Sequence, residues 1–229
     1  MERYSVITKK FPREFILLQG TGCKWGKCSF CDYHTDVSDD PYAVNREVLD
    51  MVTGESGVLD VINSGSCFEL DAQTIAHLQR IVVELGIRTL WFEVHWMYRK
   101  RLEEFAKLFP GVEVKFRCGV ETFDVDLRAK WNKGIPSEVE PGEIARHFQG
   151  VCLLCCTKGE DFAHIEADIE TACRHFEYMS VNVFCSNTSA ELRDDEMVAR
   201  FMREIYPKYK QHPKIEILVE NTDLGVGEC

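Results

Sequence analysis

FILLQGTGCKWGKCSFCDYH, residues 15–34, joins an apolar run to a loop in which Cys23, Cys28 and Cys31 fall within nine residues, beside glycine and lysine. The run FILLQG at about 15–20 has the length and composition of a buried strand. The loop therefore sits where a strand gives way to a helix, the end of a βα unit at which barrel active sites are assembled. Eleven cysteines is a high count for 229 residues, yet they do not make the regular framework of a small disulfide scaffold. Metal or redox chemistry is the first question this sequence raises, and the three clustered cysteines decide it.

Outward from the loop, apolar runs alternate with helical periodicity to the end of the chain, with no low-complexity tract or Gly/Ser linker. A helix with Val44, Val48 and Val52 on one face ends at Gly54, and VLDVINSG at 58–65 is the second strand. Asp71 is placed to cap a helix carrying Ile75, Leu78, Val82 and Leu85, which Gly86 terminates. Strand three is TLWFEVHW at 89–96, followed by a helix with Leu102, Phe105 and Phe109 that stops at Pro110. VEVKFRCGV at 112–120 is the fourth strand, leading to a helix at about 124–133 and a Pro/Glu-rich insert, SEVEPGEIARHF. VCLLCCT at 151–157, a helix with Ile165, Ile169 and Phe176, and MSVNVFCS at 179–186 follow. A last helix from Asp194 toward Pro207 precedes KIEILVE at 214–220, a seventh strand before the tail that ends at Cys229.

Six βα units and one extra C-terminal strand fall short of a closed eightfold barrel. The expected fold is a single α/β domain over 1–229, a partial (βα)6 TIM-type barrel with the cysteine loop at 20–34. A partial barrel has a wider interior than a complete one, so inward positions can be polar and be satisfied by a ligand. On strand four, Lys115, Arg117 and Glu121 oppose the apolar set Val112 to Val120; on strand three, Trp91, Glu93 and His95 oppose Leu90, Phe92 and Val94. The polar sets are expected to face the ligand space.

Composition narrows the function class. A formal charge of −11 opposes a phosphate backbone, and the only locally basic groups, Lys9-Lys10 and Tyr98-Arg99-Lys100-Arg101, make no nucleic-acid groove. The second group reads as the solvated start of a helix. No stretch approaches the roughly 20 apolar residues of a membrane span, and the first fifteen residues hold no leader-like apolar run. The expectation is a soluble, cytoplasmic protein acting on a free small molecule, without direct nucleic-acid or membrane binding.

Three thiolates can hold three irons of a cubane and leave the fourth open to an exogenous ligand, as an enzyme that uses the cluster chemically requires. Two further segments stand in order behind the loop: NSGSCFEL at 63–70 after strand two, and GVETFDVDLRAKWNKG at 119–134 after strand four. Small residues let backbone approach a ligand, and carboxylates can accept from an ammonium group or from paired hydroxyls. With these three motifs the chain resembles the radical S-adenosylmethionine (SAM) superfamily. The resemblance implies a 4Fe-4S cluster on Cys23, Cys28 and Cys31, with SAM as its exogenous ligand. It implies Phe30 near the adenine, Ser64, Gly65, Ser66 and Glu69 at the methionine ammonium, and Glu121 at the ribose. Most superfamily members have three residues between the first two cysteines; here there are four, Lys24 to Lys27. One alternative is a non-enzymatic zinc module in which His34 joins the three cysteines. A helix-start role for Glu69 is another. Cys152, Cys155 and Cys156 read as structural thiols of a buried strand rather than a second cluster.

The unassigned polar residues bear on the substrate. Glu93 can accept from the N–H donors of a guanine-like edge, and His95 can orient a hydroxyl or exchange a proton, with Asn182 and Glu220 behind them. A buried ion pair of Glu93, with Arg117 for example, and a satisfied core histidine remain open. KWGKCSFCDYHTD, INSGSCFEL and FEVHWMYRKR together resemble the queuine lyase family. That resemblance implies a radical cleavage of the free base queuine, a 7-deazaguanine, that releases 7-aminomethyl-7-deazaguanine; Glu93 and His95 are the catalytic candidates by their chemistry, and the superfamily resemblance implies a flavodoxin or ferredoxin as electron donor. A 7-carboxy-7-deazaguanine synthase-like enzyme would share the SAM motifs.

Overall fold

The apolar run at 15–18 lies within a strand whose six residues are all buried, so its neighbours must cover both faces. The computed structural model describes residues 1–227, and Cys229 lies outside the described residues. Two compact units divide the chain: Met1–Gly26, Tyr33–Phe116 and the segment from Asn221, and then Lys27–Asp32 with Arg117–Glu220.

In the first unit β1 (Tyr4–Ile7) pairs antiparallel with β2 (Arg13–Leu18), a pairing the sequence did not disclose. α1 (Pro41–Leu49) is capped by Asp40, whose carboxylate accepts from the Ala43 N–H, and Pro41 supplies its pre-set first turn. The helix stops before Val52, which is buried in the turn leading to Gly54 at φ +75°. β3 (Val58–Asn63) lies parallel to β2, with Phe15 opposite Asp60 and Leu18 opposite Asn63. The buried Arg13 guanidinium meets Asp60 at 2.9 Å, and the buried Glu14 carboxylate accepts from the Thr53 and Gly54 N–H groups at 2.7 Å, so the buried charges of β2 are partnered.

α2 (Ala72–Glu84) begins where expected, Asp71 accepting from the N–H groups of Gln73 and Thr74 at 2.9 Å. β4 (Thr89–Glu93) runs parallel to β3 and ends three residues earlier than its alternation suggests. His95 instead caps a 3-10 turn at Trp96–Arg101 that feeds α3 (Leu102–Ala106). Phe92, Phe105, Phe109 and Phe116 pack as one aromatic cluster, with centroids 5.1 to 6.3 Å apart.

β5 (Glu113–Glu121) passes from the first unit into the second. Asp124 caps α4 (Val125–Lys130), and α5 (Pro141–Ala145) forms inside the Pro/Glu-rich insert. β6 (Gly150–Cys155) is parallel to β5, with a register shift between Gly119 and Glu121. α6 (Phe162–His175) places Ile165, Ile169 and Ala172 in the core. β7 (Tyr178–Val183), α7 (Asp195–Glu204), α8 (Tyr206–Tyr209) and β8 (Ile215–Leu218) complete the unit, with β6, β7 and β8 successively parallel. Within each unit strand order follows chain order, the arrangement of successive βα units. Cys152, Cys155 and Cys156 are buried; Cys152 and Cys155 lie on β6 as read, whereas Cys156 follows the strand at a φ of +69°. Among the described residues no helix is long and apolar enough to cross a membrane.

Candidate active site

In the first unit the loop after β2 is tied to the turn after β3. The Gly20 N–H donates to Ser64 Oγ at 2.9 Å, and the Thr21 N–H to the Glu69 carbonyl at 2.8 Å. Glu69, 2% exposed, accepts three hydrogen bonds on its carboxylate. Oε2 takes the Ser66 N–H at 2.6 Å; Oε1 takes the Lys24 N–H at 3.0 Å and the Tyr98 hydroxyl at 2.9 Å. The helix-start role is present as a capping box on Ser66, but the same carboxylate also grips the residue after Cys23. Burial, then the hydrogen bond to Glu69, pushes the Tyr98 phenol well up. A Cβ at Gly65 would collide with Glu69 Oε2 and lie 3.2 Å from the Cys23 Cα, so glycine is what allows the two segments to meet.

His95 follows β4. Its N–H donates to Ser66 Oγ at 3.0 Å, and its Nδ1 accepts from the Met97 N–H at 3.2 Å. That bond fixes the neutral imidazole with its proton on Nε2. The Trp25 ring stacks on His95 with centroids 4.9 Å apart and planes 21° from parallel. Glu93, at the end of β4, is half-buried between the fully buried Phe92 and Val94.

In the second unit Cys28 and Cys31 belong to a short turn, the Cys31 N–H donating to the Cys28 carbonyl at 3.3 Å. The segment following β7 secures it: Asn187 Nδ2 donates to the Phe30 carbonyl at 2.8 Å, and the Thr188 hydroxyl to Asp32 at 2.8 Å. The Phe30 ring meets Trp131 edge-on at 5.6 Å, and the Ser29 N–H donates to the Trp131 carbonyl at 3.1 Å. Glu121 is buried at the end of β5, and its φ of +69° lies in the left-handed region. Such strain in a residue other than glycine persists only where its surroundings hold it, and it gathers at functional sites. Lys133 Nζ stands 2.8 Å from Glu121 Oε1. Burial works against the Lys133 ammonium, but the Glu121 carboxylate, with the Cys28 thiol near it, keeps its pKa above the ordinary value.

Asn182 donates from Nδ2 to the Leu153 carbonyl at 2.9 Å and to Ser180 Oγ at 3.2 Å. Glu220 lies beyond β8 rather than on it, is 62% exposed and stands 3.9 Å from Arg193. The expected residues thus gather as Cys23, Ser64, Gly65, Ser66, Glu69, Glu93 and His95 in one unit, and Cys28, Phe30, Cys31, Glu121, Asn182 and Glu220 in the other. Trp25, Tyr98 and Lys133 were not singled out from the sequence. Tyr98 opens the basic tetrad that read as a solvated face, yet it is buried. Lys133 sits in the NKG that closes the third motif, and Trp25 occupies the enlarged cysteine gap; the signals were present without a partner to interpret them.

Compared with solved structures, the chain matches queuine lyase from Clostridium spiroforme bound to SAM and queuine, at 38% sequence identity and a TM-score of 0.94, over 100% of both chains. The chain belongs to the queuine lyase family of radical SAM enzymes. Streptococcus suis SuiB shares the fold alone, with a TM-score of 0.56 and 13% identity over 91% of this chain and 50% of its own. No family model and no curated protein sequence matches.

As a member of the queuine lyase family, the chain is a radical SAM lyase with the partial α/β barrel of that superfamily, and the family implies a 4Fe-4S cluster and SAM. The cysteine loop fits the cluster. All three residues are thiols outside any disulfide and only partly buried. The Gly26 N–H points at Cys23 Sγ at 3.3 Å, a contact of the kind that tunes cluster sulfurs.

Proposed function

We propose that this chain cleaves queuine and releases 7-aminomethyl-7-deazaguanine, acting in the cytoplasm as one functional domain over 1–229. The observation that carries this reading is the full-length match, at 38% identity, to a queuine lyase holding SAM and queuine. Cys23, Cys28 and Cys31 hold the cluster in this proposal, and the bound cluster and SAM supply the hydrogen-abstracting radical. The remaining roles belong to the protein's own groups.

Glu69 has four acceptor positions on its carboxylate and the structure fills three. The fourth, on Oε2, is assigned to the methionine ammonium of SAM, beside Ser64, Gly65 and Ser66. Glu121 takes the ribose hydroxyls, and Phe30 faces the adenine. On the substrate side, the Glu93 carboxylate accepts from the deazaguanine edge. His95, with its proton fixed on Nε2, donates to a substrate hydroxyl or exchanges a proton there. Asn182 and Glu220 complete the assigned substrate set. A flavodoxin or ferredoxin supplies the electron, and the acidic chain, at −11, suits an amine-bearing free base and no nucleic acid.

Reduced, reconstituted protein incubated with SAM and queuine tests the reading, with 7-aminomethyl-7-deazaguanine measured by mass spectrometry. SAM cleavage without that product would sink it. Glu93→Gln should keep SAM cleavage while losing queuine affinity; unchanged affinity and turnover would remove Glu93 from the substrate site.

A further inference from the structure

Lys133 is buried beside a carboxylate and an aromatic ring. Its ammonium is 2.8 Å from Glu121 Oε1 and lies 5.5 Å from the centroid of the Phe30 ring. The backbone is shaped to deliver it: Asn132 and Gly134 on either side have φ of +53° and +70°, and the Lys133 N–H closes back on the Arg128 carbonyl at 3.2 Å. Next to it in sequence, Trp131 packs edge-on against Phe30 and accepts the Ser29 N–H through its carbonyl. One turn therefore touches Glu121, the Phe30 ring and the backbone between Cys28 and Cys31.

The strand that carries Glu121 leaves room for this arrangement. A Cβ on Gly119 would lie 2.6 Å from Glu121 Oε1 and 2.8 Å from Lys133 Nζ, closer than such atoms approach. Gly119 has an ordinary φ and stands at the register shift between β5 and β6. Its lack of a side chain serves space rather than backbone freedom.

We propose that Lys133 is a positioning residue for SAM, holding Glu121 at the ribose and the Phe30 ring at the adenine, and that glycine at 119 is what admits this pair. The inference rests on the reading of Glu121 as the ribose ligand. Lys133 itself touches no reacting atom in this scheme. It supplies a counter-charge to the buried carboxylate at 2.8 Å, and it keeps that carboxylate at one rotamer despite the strained backbone.

The test measures SAM affinity by equilibrium dialysis on cluster-loaded protein, with iron and sulfide content and the KM for queuine alongside. Lys133→Met and Gly119→Ala should each weaken SAM binding by about tenfold or more while leaving the queuine KM within about twofold and the cluster content unchanged. Lys133→Arg, which keeps the charge, should recover part of the loss. Gly119→Ala retains both charges, so it speaks to positioning even if Lys133→Met fails to fold. Glu121→Gln separates the two readings. If it leaves SAM affinity unchanged, the ribose assignment falls and this inference with it. If it weakens SAM binding while Lys133→Met and Gly119→Ala do not, or if they weaken SAM and queuine equally, the positioning role alone is overturned.

Discussion

Tyr98→Phe removes a single oxygen from the network that holds the cluster loop. The phenol ring stacks on Phe68 at 4.6 Å and 13°, a contact phenylalanine keeps, and Tyr98 is only 6% exposed, so no water replaces the lost hydroxyl easily. What disappears is the 2.9 Å hydrogen bond to Glu69 Oε1. A hydrogen bond to a charged group contributes about 1.5–3 kcal/mol, and a buried acceptor left short costs within the same range. For a chain of this size about 2 kcal/mol corresponds to a fall of roughly 4–8 °C in Tm. Urea denaturation of the cluster-free protein should show the midpoint falling with an unchanged slope. Because Glu69 also accepts the Lys24 N–H, the reconstituted variant should lose iron faster under a chelator. A stability change below about 0.5 kcal/mol, the range of an ordinary surface substitution, together with wild-type iron retention, would refute the claim that Glu69 transmits anything to the loop.

Cys28→Ala should abolish stable cluster binding, read as loss of iron, sulfide and the brown chromophore; a protein retaining the full cluster would exclude Cys28 as a ligand. Trp25→Ala removes the ring stacked on His95 and should raise the KM for queuine several-fold, with SAM cleavage in the absence of queuine retained; equal loss of both would point to loop collapse instead. Glu160 is raised from its ordinary 4.5 to about 7, chiefly by burial, with the Thr157 and Cys156 backbone N–H groups opposing and Asp168 adding to the rise. The folded state therefore holds a proton there that the unfolded chain releases, so this group's contribution to stability is full below its ordinary 4.5 and is lost as pH rises through about 7. At about 1.4 kcal/mol per tenfold, the contribution is roughly 3 kcal/mol. Glu160→Gln should flatten the fall in urea stability between pH 5 and 8, and parallel curves for the two proteins would contradict the assignment.

The parallel strands were legible because each is a short apolar run bounded by turn residues, and Asp71, read as a cap, and Asp194, read as a helix start, both cap helices in the structure. β1 was not legible: three of its four residues are partly buried, Val6 is exposed, and charges lie on both sides, so periodicity does not separate them from a tail. The end of β4 was misplaced because His95 continues the alternation while its ring already serves the following turn. β8 ends before Glu220 for a similar reason, since IEILVE alternates past the last paired residue. The cysteine loop declared itself by local spacing. Lys133 and Tyr98 did not, because each acquires meaning only from a carboxylate 12 or 29 residues away in sequence.

The same geometry explains why Glu69 itself is a poor probe of SAM binding. Its carboxylate closes the capping box at Ser66, accepts from Lys24 and accepts from Tyr98, so Glu69→Gln disturbs three contacts before any ligand is present. An amide keeps one oxygen and replaces the other with a donor facing N–H or O–H groups that are themselves donors, and a buried mismatch of that kind costs as much as a missing partner. Loss of SAM affinity in that variant would not separate a direct contact from a displaced loop. Tyr98→Phe disturbs one contact on Oε1 and leaves Oε2 with the Ser66 N–H. A direct ammonium site on Oε2 predicts that this variant keeps its affinity for SAM once the cluster is loaded, even as its apo stability falls. A parallel loss of both would place Glu69 in the scaffold of the loop rather than at the ligand.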